Sequence, residues 1–284
     1  MFENRLSSVR VAALGLVCAA PLFAQQMRLA PRHDSGEGVT AAFEGWFRNQ
    51  DGSFSILFGY FNRNAKQELD IPVGAGNRIE PGGPDRGQPT HFLTGRNWGV
   101  FTVTVPKDFG SAKLVWSITA NGVTTQVPAG LAELWELEPF RDANANTAPW
   151  IGFQDTGPFV NGPRGQSKSL TAAAGKPVDL PLWVADDARV IPGASQPNTP
   201  PVSLFWSKFR GPGPVAIAND RPRAQPAEFA APPETVFHGQ AVTTATFAEP
   251  GEYVLRVVAN DWSGDGSRGF QCCWSNAQIA VTVK

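Results

Sequence analysis

Apolar and polar residues alternate in short runs along most of this chain, and glycine, proline and Asx-Gly pairs break the runs. Ala41-Ala-Phe-Glu-Gly-Trp-Phe47 and Phe54-Ser-Ile-Leu-Phe-Gly-Tyr-Phe61 are aromatic, strand-like segments. Asn49-Gln-Asp-Gly52 lies between them, and Asp-Gly favours a tight hairpin because it tolerates positive φ. Leu69 to Val73 is a shorter strand candidate. Gly99 to Val105 alternates Val100, Thr102 and Thr104 against Phe101, Val103 and Val105, the pattern of a half-buried strand. Lys113–Thr119 and Val123–Val127 flank Asn121-Gly122, a second hairpin signal. About six strands over residues 40–128 suffice for one sandwich. Leu131 to Leu137 fits a short helix and a strand equally. From Asp142 to Lys168 the chain turns to Asn, Ala, Gly and Pro, the composition of an interdomain connection. Trp150, Ile151, Phe153 and Phe159 imply that this connection packs on a neighbouring surface.

A second unit starts near Ser169. It contains Leu204-Phe-Trp-Ser-Lys-Phe-Arg-Gly-Pro-Gly213, and Trp206 there is placed to fill an inter-sheet core. In Ala245-Thr-Phe-Ala-Glu-Pro-Gly-Glu-Tyr-Val-Leu-Arg-Val-Val-Ala-Asn-Asp261, Pro250-Gly251 supplies a turn. Tyr253, Leu255 and Val257 then share one strand face, and Val254, Arg256 and Val258 the other. Ala277 to Val283 is the last strand. These segments resemble PKD-type immunoglobulin-like domains, with their Trp-Ser-x-x-x-Gly-Pro-Gly segment, Phe-x-x-Pro-Gly-x-Tyr-x-Leu corner and final Val-Thr-Val strand. The resemblance covers roughly residues 169–284 and implies an immunoglobulin-like sandwich of a bacterial surface or secreted protein. Two departures are an Ala- and Pro-rich stretch from Pro222 to Gln240 and an enlarged loop after Asp261 that carries two cysteines.

Composition agrees with an all-β reading. The 284 residues include 29 Gly and 25 Pro, and only 17% are charged, while 19 Phe and 9 Trp supply ample core. Before the first strand, Arg5 and Arg10 precede an apolar run from Val11 to Ala20 that ends in Pro21-Leu-Phe-Ala24. A basic start, a short apolar core and a small residue describe a secretory signal peptide cleaved near Ala24. The run is about half the ~20 residues a membrane span needs. Cys18 lacks the small residue that a lipoprotein site wants before it. Taking Arg5, Arg10 and Glu3 away from 24 basic and 25 acidic side chains leaves a near-neutral mature chain without a membrane span. With no basic block there is no electrostatic footprint for nucleic acid.

Catalytic chemistry is hard to find. His33, His91 and His238 stand in no metal-ligand spacing, and the chain has no Gly-x-Ser-x-Gly elbow and no phosphate-binding glycine loop. Two loops carry candidate binding residues. In Glu80–Phe92 and the residues after it, Asp85, Arg86, Gln88, His91 and Arg96 are placed to line a polar site. The structural alternative is that Asp85 pairs with Arg86 or Arg96 to hold the loop. In Asp261–Asn276, Trp262, Phe270 and Trp274 offer flat faces to a sugar ring, a peptide or a partner domain, or else fold inward as a cap. Asp186, Asp187, Asp261 and Asp265 are oxygen donors suited to calcium but lack the spacing of a dedicated loop. Cys272 and Cys273 are the only cysteines of the mature chain. An oxidising compartment favours a vicinal disulfide, with a reduced dithiol and an intermolecular bridge as the alternatives.

Together these observations predict an all-β protein: a signal peptide over 1–24, an immunoglobulin-like β-sandwich over 39–140, a linker over 141–168 and a PKD/immunoglobulin-like sandwich over 169–284. The function they imply is an exported, non-catalytic binding, adhesion or scaffold protein of the bacterial periplasm or cell surface. Its partner would be a protein or a glycan, and no cofactor is implied. The alternative is an accessory or catalytic component of extracellular polysaccharide or protein breakdown.

Overall fold

The computed structural model describes residues 33–189, 201–261 and 272–284. The signal-peptide segment and Trp262, Asp265 and Phe270 lie outside them. The first sandwich begins with β1 (Val39–Arg48) and β2 (Phe54–Asn62), then the short β3 (Leu69–Asp70), β4 (Asn77–Glu80) and β5 (His91–Phe92). It closes with β6 (Gly95–Val105), β7 (Leu114–Ala120) and β8 (Val123–Ala129). One sheet has the order β1-β2-β6, the facing one β4-β7-β8, and β3 pairs with β5 alone. Both hairpins form at the Asx-Gly signals. Asn49 N–H donates to the Ser53 carbonyl at 2.9 Å, and Asn121 and Gly122 take φ of 47° and 77°. Glu133–Trp135, where the pattern fitted two states, is a single 3-10 turn. Between the sheets Phe58 stacks on Phe101 at 5.4 Å, and Trp116 meets both rings edge-on at 5.7 and 5.0 Å. Each such pair adds about 0.5–1.5 kcal/mol beyond the area it buries. The Trp116 indole N–H donates to Asn77 Oδ1 at 3.0 Å, so this buried ring is also polar-satisfied.

The second sandwich takes in part of the 141–168 stretch: β9 (Trp150–Gly152), β10 (Phe159–Asn161) and the start of β11 (Gln166–Ala172) belong to its sheets. Then come β12 (Pro177–Asp186), β13 (Val202–Arg210), β14 (Val215–Ile217), β15 (Gln225–Pro226), β16 (Phe237–Phe247), β17 (Gly251–Asp261) and β18 (Trp274–Val283). One sheet runs β10-β9-β12-β16-β14, with β15 also on β16; the other runs β11-β18-β17-β13. β11 lies parallel to β18 and the remaining pairs are antiparallel. Trp206, Phe247, Tyr253, Leu255, Val257, Ile279 and Val281 fill its interior. The Tyr253 hydroxyl donates to the Glu249 carbonyl at 2.9 Å, the tyrosine corner of immunoglobulin-like sandwiches. Among the described residues, β1–β8 pair only with one another, and so do β9–β18.

The sandwiches are nevertheless fused, and three breaks in strand register do it. A bulge adds a residue to one strand and re-aims the side chains around it. In β1 the register shifts between Phe43 and Gly45, turning Glu44 out of the core alternation. Between β2 and β6 it shifts after Phe58, so that Trp98, Gly99 and Val100 stand opposite Gly59 alone. In β13 it shifts between Lys208 and Arg210, and the intervening Phe209 is buried in the core of the first sandwich. Gly99 is the contact point. Its N–H donates to Glu44 Oε2 at 2.6 Å, and its carbonyl accepts from Arg256 Nη2 at 3.1 Å and Asn276 Nδ2 at 2.8 Å. Arg210 clamps Asp85 with both terminal nitrogens at 2.8 and 3.0 Å and reaches the Gln88 carbonyl. Lys208 meets Asp70 at 2.9 Å, and Thr90 N–H donates to the Phe209 carbonyl at 3.0 Å.

Gly99 has φ +52°, and a Cβ on it would collide with the Trp274 indole. Gly99→Ala is therefore expected to destabilise the protein by about 2 kcal/mol or more, lowering Tm by roughly 4–8 °C. Differential scanning fluorimetry checks this, and an unchanged Tm would mean the joint contributes nothing.

Candidate binding cleft at the joint

The outer face of the β11-β18-β17-β13 sheet is set by alternation. Leu204, Trp206, Leu255, Val257, Ala277 and Ile279 point into the core, so Ser203, Phe205, Arg256, Val258, Asn260 and Trp274 point away from it. The first sandwich covers part of that face through Gly99 and leaves a cleft of about 460 Å³ beside the contact. Leu93, Thr94, Arg96, Asn97 and Trp98 form one wall, and Phe205, Asp220 and Arg221 stand on the other.

Stacking fixes the charged groups of both walls. The Arg96 guanidinium lies 3.7 Å from the centre of the Trp98 ring, and that of Arg221 lies 4.2 Å from the centre of Phe205. Arg96 also bonds Glu44, and donates to the Asn97 and Tyr60 carbonyls at 2.7 and 3.0 Å. Gly59 makes room for this: a Cβ there would meet Glu44 Oε1, the Asn97 carbonyl and Arg96 Nη1. Burial pushes the Glu44 carboxyl above its usual range, against the opposing pull of Arg96 and the Gly99 N–H. Arg256 donates from Nε and Nη2 to Asn276 Oδ1 at 3.0 and 2.7 Å. Two atoms stay unmatched on the sheet face. Asn260 Oδ1 and Trp274 Nε1 are both shut from solvent and without a hydrogen-bond partner.

The residues singled out from the sequence separate into distinct places. Arg96 and Trp274 line the cleft. Trp274 is only 2% exposed, and its ring packs on Gly99. Asp85 pairs with Arg210 of the second sandwich, and not with Arg86 or Arg96; that hydrogen-bonded partner lowers its pKa. Arg86 donates to the Pro81 carbonyl at 2.7 Å and braces its own loop, as does Gln88, which accepts the Arg86 N–H. His91 sits between Asp70 at 2.9 Å and Glu68 at 3.1 Å. The sequence pattern does not single out Glu44, Trp98, Phe205, Arg221, Arg256 or Asn260 as site residues. Arg256 carried a usable signal, since a charge inside Val-Leu-Arg-Val-Val must find a partner once both strand faces are covered.

Asp186, Asp187 and Asp261 lie near one another at the end of the second sandwich. Asn146 Nδ2 donates to Asp261 Oδ2 at 2.5 Å, while Thr147 gives its N–H and hydroxyl to Asp187 Oδ2 at 3.0 and 2.8 Å. Asp186 accepts the Ala188 N–H at 2.7 Å through Oδ2, and its Oδ1 is buried with no partner. Among the described residues no three His, Cys, Asp or Glu side chains gather as a metal-ligand set. Next to this cluster Cys272 and Cys273 are joined to each other and buried with Ala148.

No family model matches the chain, and no curated protein matches it. Among solved structures, it is similar to the ASH/PapD-like domain 7 of human CEP192, with 14% identity over 52% of this chain and 92% of that one and a TM-score of 0.26. Domains 4 and 5 of the S-layer protein SbsC are 9% identical over 87% and 98% of the two chains, with a TM-score of 0.21. CfaE, the adhesive subunit of the CFA/I fimbria of enterotoxigenic Escherichia coli, is 8% identical over 89% and 82%, with a TM-score of 0.24. None of these scores is high enough to carry a role across.

Burial, with Asp261 and Asp187 nearby, raises the Asp186 pKa from 3.8 to about 7. A carboxyl whose folded pKa is raised contributes its stability below the unfolded pKa and loses it as pH rises through the folded one. Tm is therefore expected to fall between pH 5 and 8, by the equivalent of about 2 kcal/mol. Asp186→Asn should flatten that fall. A mutant retaining the full wild-type slope would assign the pH dependence to other groups.

Proposed function

We propose that this chain is an exported, non-catalytic recognition protein of the bacterial periplasm or cell surface, with a PKD-like second sandwich, and that it takes its ligand in the cleft at the joint. The observation that carries the reading is the pair of stacked arginines, one on each sandwich, facing a concave space between them. Ligand sites favour such positions, since walls from two units enclose a ligand that one sheet face cannot. The polar groups are committed to holding rather than reacting. Arg96 is tied to Glu44, Arg256 to Asn276, and the Ser203 hydroxyl donates to the Asn260 carbonyl at 3.0 Å. No helix among the described residues is long and apolar enough to cross a membrane.

Cys272 and Cys273 fit an exported protein as a bonded pair whose work is local. Bridging neighbours closes almost no chain, so little stability arises through the unfolded state. The pair instead stiffens the entry to β18 and so the seat of Trp274. Mass spectrometry of the peptide containing both, after alkylation without reduction, is expected to find neither sulfur alkylated. Two alkyl groups would remove the bond from the account.

The cleft itself is tested with Arg221→Ala. Arg221 is exposed and its guanidinium rests on Phe205, so its loss should leave Tm within about 1 °C, as for other surface substitutions. Any ligand found on combined glycan and peptide arrays should bind this variant at least tenfold more weakly. Undiminished binding would place the ligand elsewhere.

A further inference from the structure

The loop that leads into the second sandwich carries an alternation of its own. Asp142-Ala-Asn-Ala-Asn146 sets oxygen-bearing side chains at the first, third and fifth positions, the spacing with which calcium-binding loops begin. We infer that a calcium ion binds between this loop and the ends of β12 and β17, held by Asp142, Asn144, Asn146, Asp186 and Asp261. This site is separate from the cleft and does not depend on a ligand there.

The loop is closed around its first residue. Asp142 Oδ1 accepts the Asn144 and Asn146 N–H groups at 2.8 and 3.0 Å, and Asp142 N–H donates to the Asn146 carbonyl at 2.9 Å. Asp142 Oδ2 is left buried and without a hydrogen-bond partner. Thr147 and Phe153 stand where a full calcium loop has its glycine and its bidentate glutamate, so the remaining ligands must come from elsewhere. Two contacts bring them. Asn146 Nδ2 donates to Asp261 Oδ2 at 2.5 Å, and Thr147 holds Asp187 Oδ2 through its N–H and its hydroxyl. Asp186 and Asp261 are the last residues of β12 and β17, so each sheet delivers one carboxylate to the same end of the sandwich.

Asp186 supplies the observation that points to a cation. It is 1% exposed, its Oδ2 accepts the Ala188 N–H at 2.7 Å, and its Oδ1 has no partner. Protonation does not satisfy that atom: a carboxylate there lacks a donor, and a carboxylic acid there lacks an acceptor. Burial raises the Asp186 pKa against the Ala188 N–H, and Asp261 and Asp187 raise it further. A divalent cation among these groups offsets desolvation and mutual repulsion together. The closed surroundings do not keep it out. Calcium meets oxygen at about 2.3–2.6 Å, closer than the roughly 2.8 Å at which water does, so oxygens that water cannot touch still fit the ion. Asn144 is exposed and marks the side from which the ion enters.

The donor set selects the metal. Every proposed ligand is an oxygen, and the two nearby sulfurs are bonded to each other, so softer ions that favour thiolate or imidazole find no match. Among the described residues no three acids converge, so carboxylates alone do not make the site, and the amide oxygens of the loop have to complete it. Calcium accepts such a mixture, taking about six to eight carboxylate, amide and backbone oxygens in a flexible arrangement. Magnesium demands a near-ideal octahedron and keeps several of its waters, which suits a buried set of protein oxygens poorly.

The test uses the whole mature chain stripped of metal with EDTA, the form to which the fall of Tm with pH expected for Asp186 applies. Calcium is titrated to roughly 10 mM, past the range of extracellular calcium modules, with calorimetry and scanning fluorimetry side by side. The expected result is a single bound ion and a rise in Tm of roughly 5–10 °C at a hundredfold excess over Kd. Magnesium at the same concentration should give a smaller rise. Asp142→Asn and Asp186→Asn remove a charge while keeping the volume, and each should weaken calcium binding by about tenfold or more. Asn144→Ala changes an exposed side chain, so it carries the test should either aspartate variant fail to fold, and it too should weaken binding. Neither heat nor a Tm shift at the highest calcium concentration would overturn the site. Calcium binding that none of the three substitutions weakens would overturn it as well. An equal response to magnesium would overturn the choice of calcium.

Discussion

Everything distinctive in this structure depends on the peptide group of Gly99. Its N–H is given to Glu44 and its carbonyl is shared by Arg256 and Asn276, so one residue links a bulge in the first sandwich to the outer sheet face of the second. Hydrogen bonds to charged groups contribute about 1.5–3 kcal/mol each, whereas an unpaired buried charge costs more than the pair returns. Glu44 and Arg256 are 5% and 6% exposed, so neither is spared desolvation, and each is tolerable only with the other sandwich or its own bulge in place. The network therefore acts as a condition on docking. With Gly99 displaced, two charged groups lose partners at once.

That condition also shapes the cleft. Arg96 is the residue that bonds Glu44 and the one that stacks on Trp98, so the joint sets the position of a cleft wall. Trp274 packs on Gly99 with one face and lines the cleft as well. A site whose walls are fixed before a ligand arrives loses little conformational freedom on binding, which matters for a shallow polar cleft with few apolar contacts. Phe209 and the Asp85–Arg210 clamp, farther along the same seam, resist the hinge motion that would open the walls.

Much of the fold was legible in the sequence because strand alternation and turn chemistry are local. The Asp-Gly and Asn-Gly hairpins, the Pro250-Gly251 turn and the two faces of the strand after it all follow from neighbouring residues. The connection after Asp142 was readable as packed but not as stranded. Gly152, Gly157, Pro158 and Gly162 interrupt runs of only three residues, too short for alternation to register. The joint was invisible for another reason. Glu44, Gly99 and Arg256 are brought together across 55 and 157 positions of chain, and what aims them is a set of bulges with no compositional mark. Asp85 shows the same limit: its need for an arginine was evident, but the nearby candidates were not the ones used. Trp274 reads from sequence as a loop ring, yet it is the first residue of β18, and the outer sheet face it occupies is covered by the other sandwich.

The central claim is that two sandwiches with separate cores behave as one mechanical unit because of the seam between them. Scanning calorimetry of the mature chain tests it most directly. The account predicts a single endotherm whose calorimetric and van't Hoff enthalpies agree. Two resolved transitions, or a van't Hoff enthalpy near half the calorimetric one, would show that the sandwiches unfold independently and that the seam does not couple them.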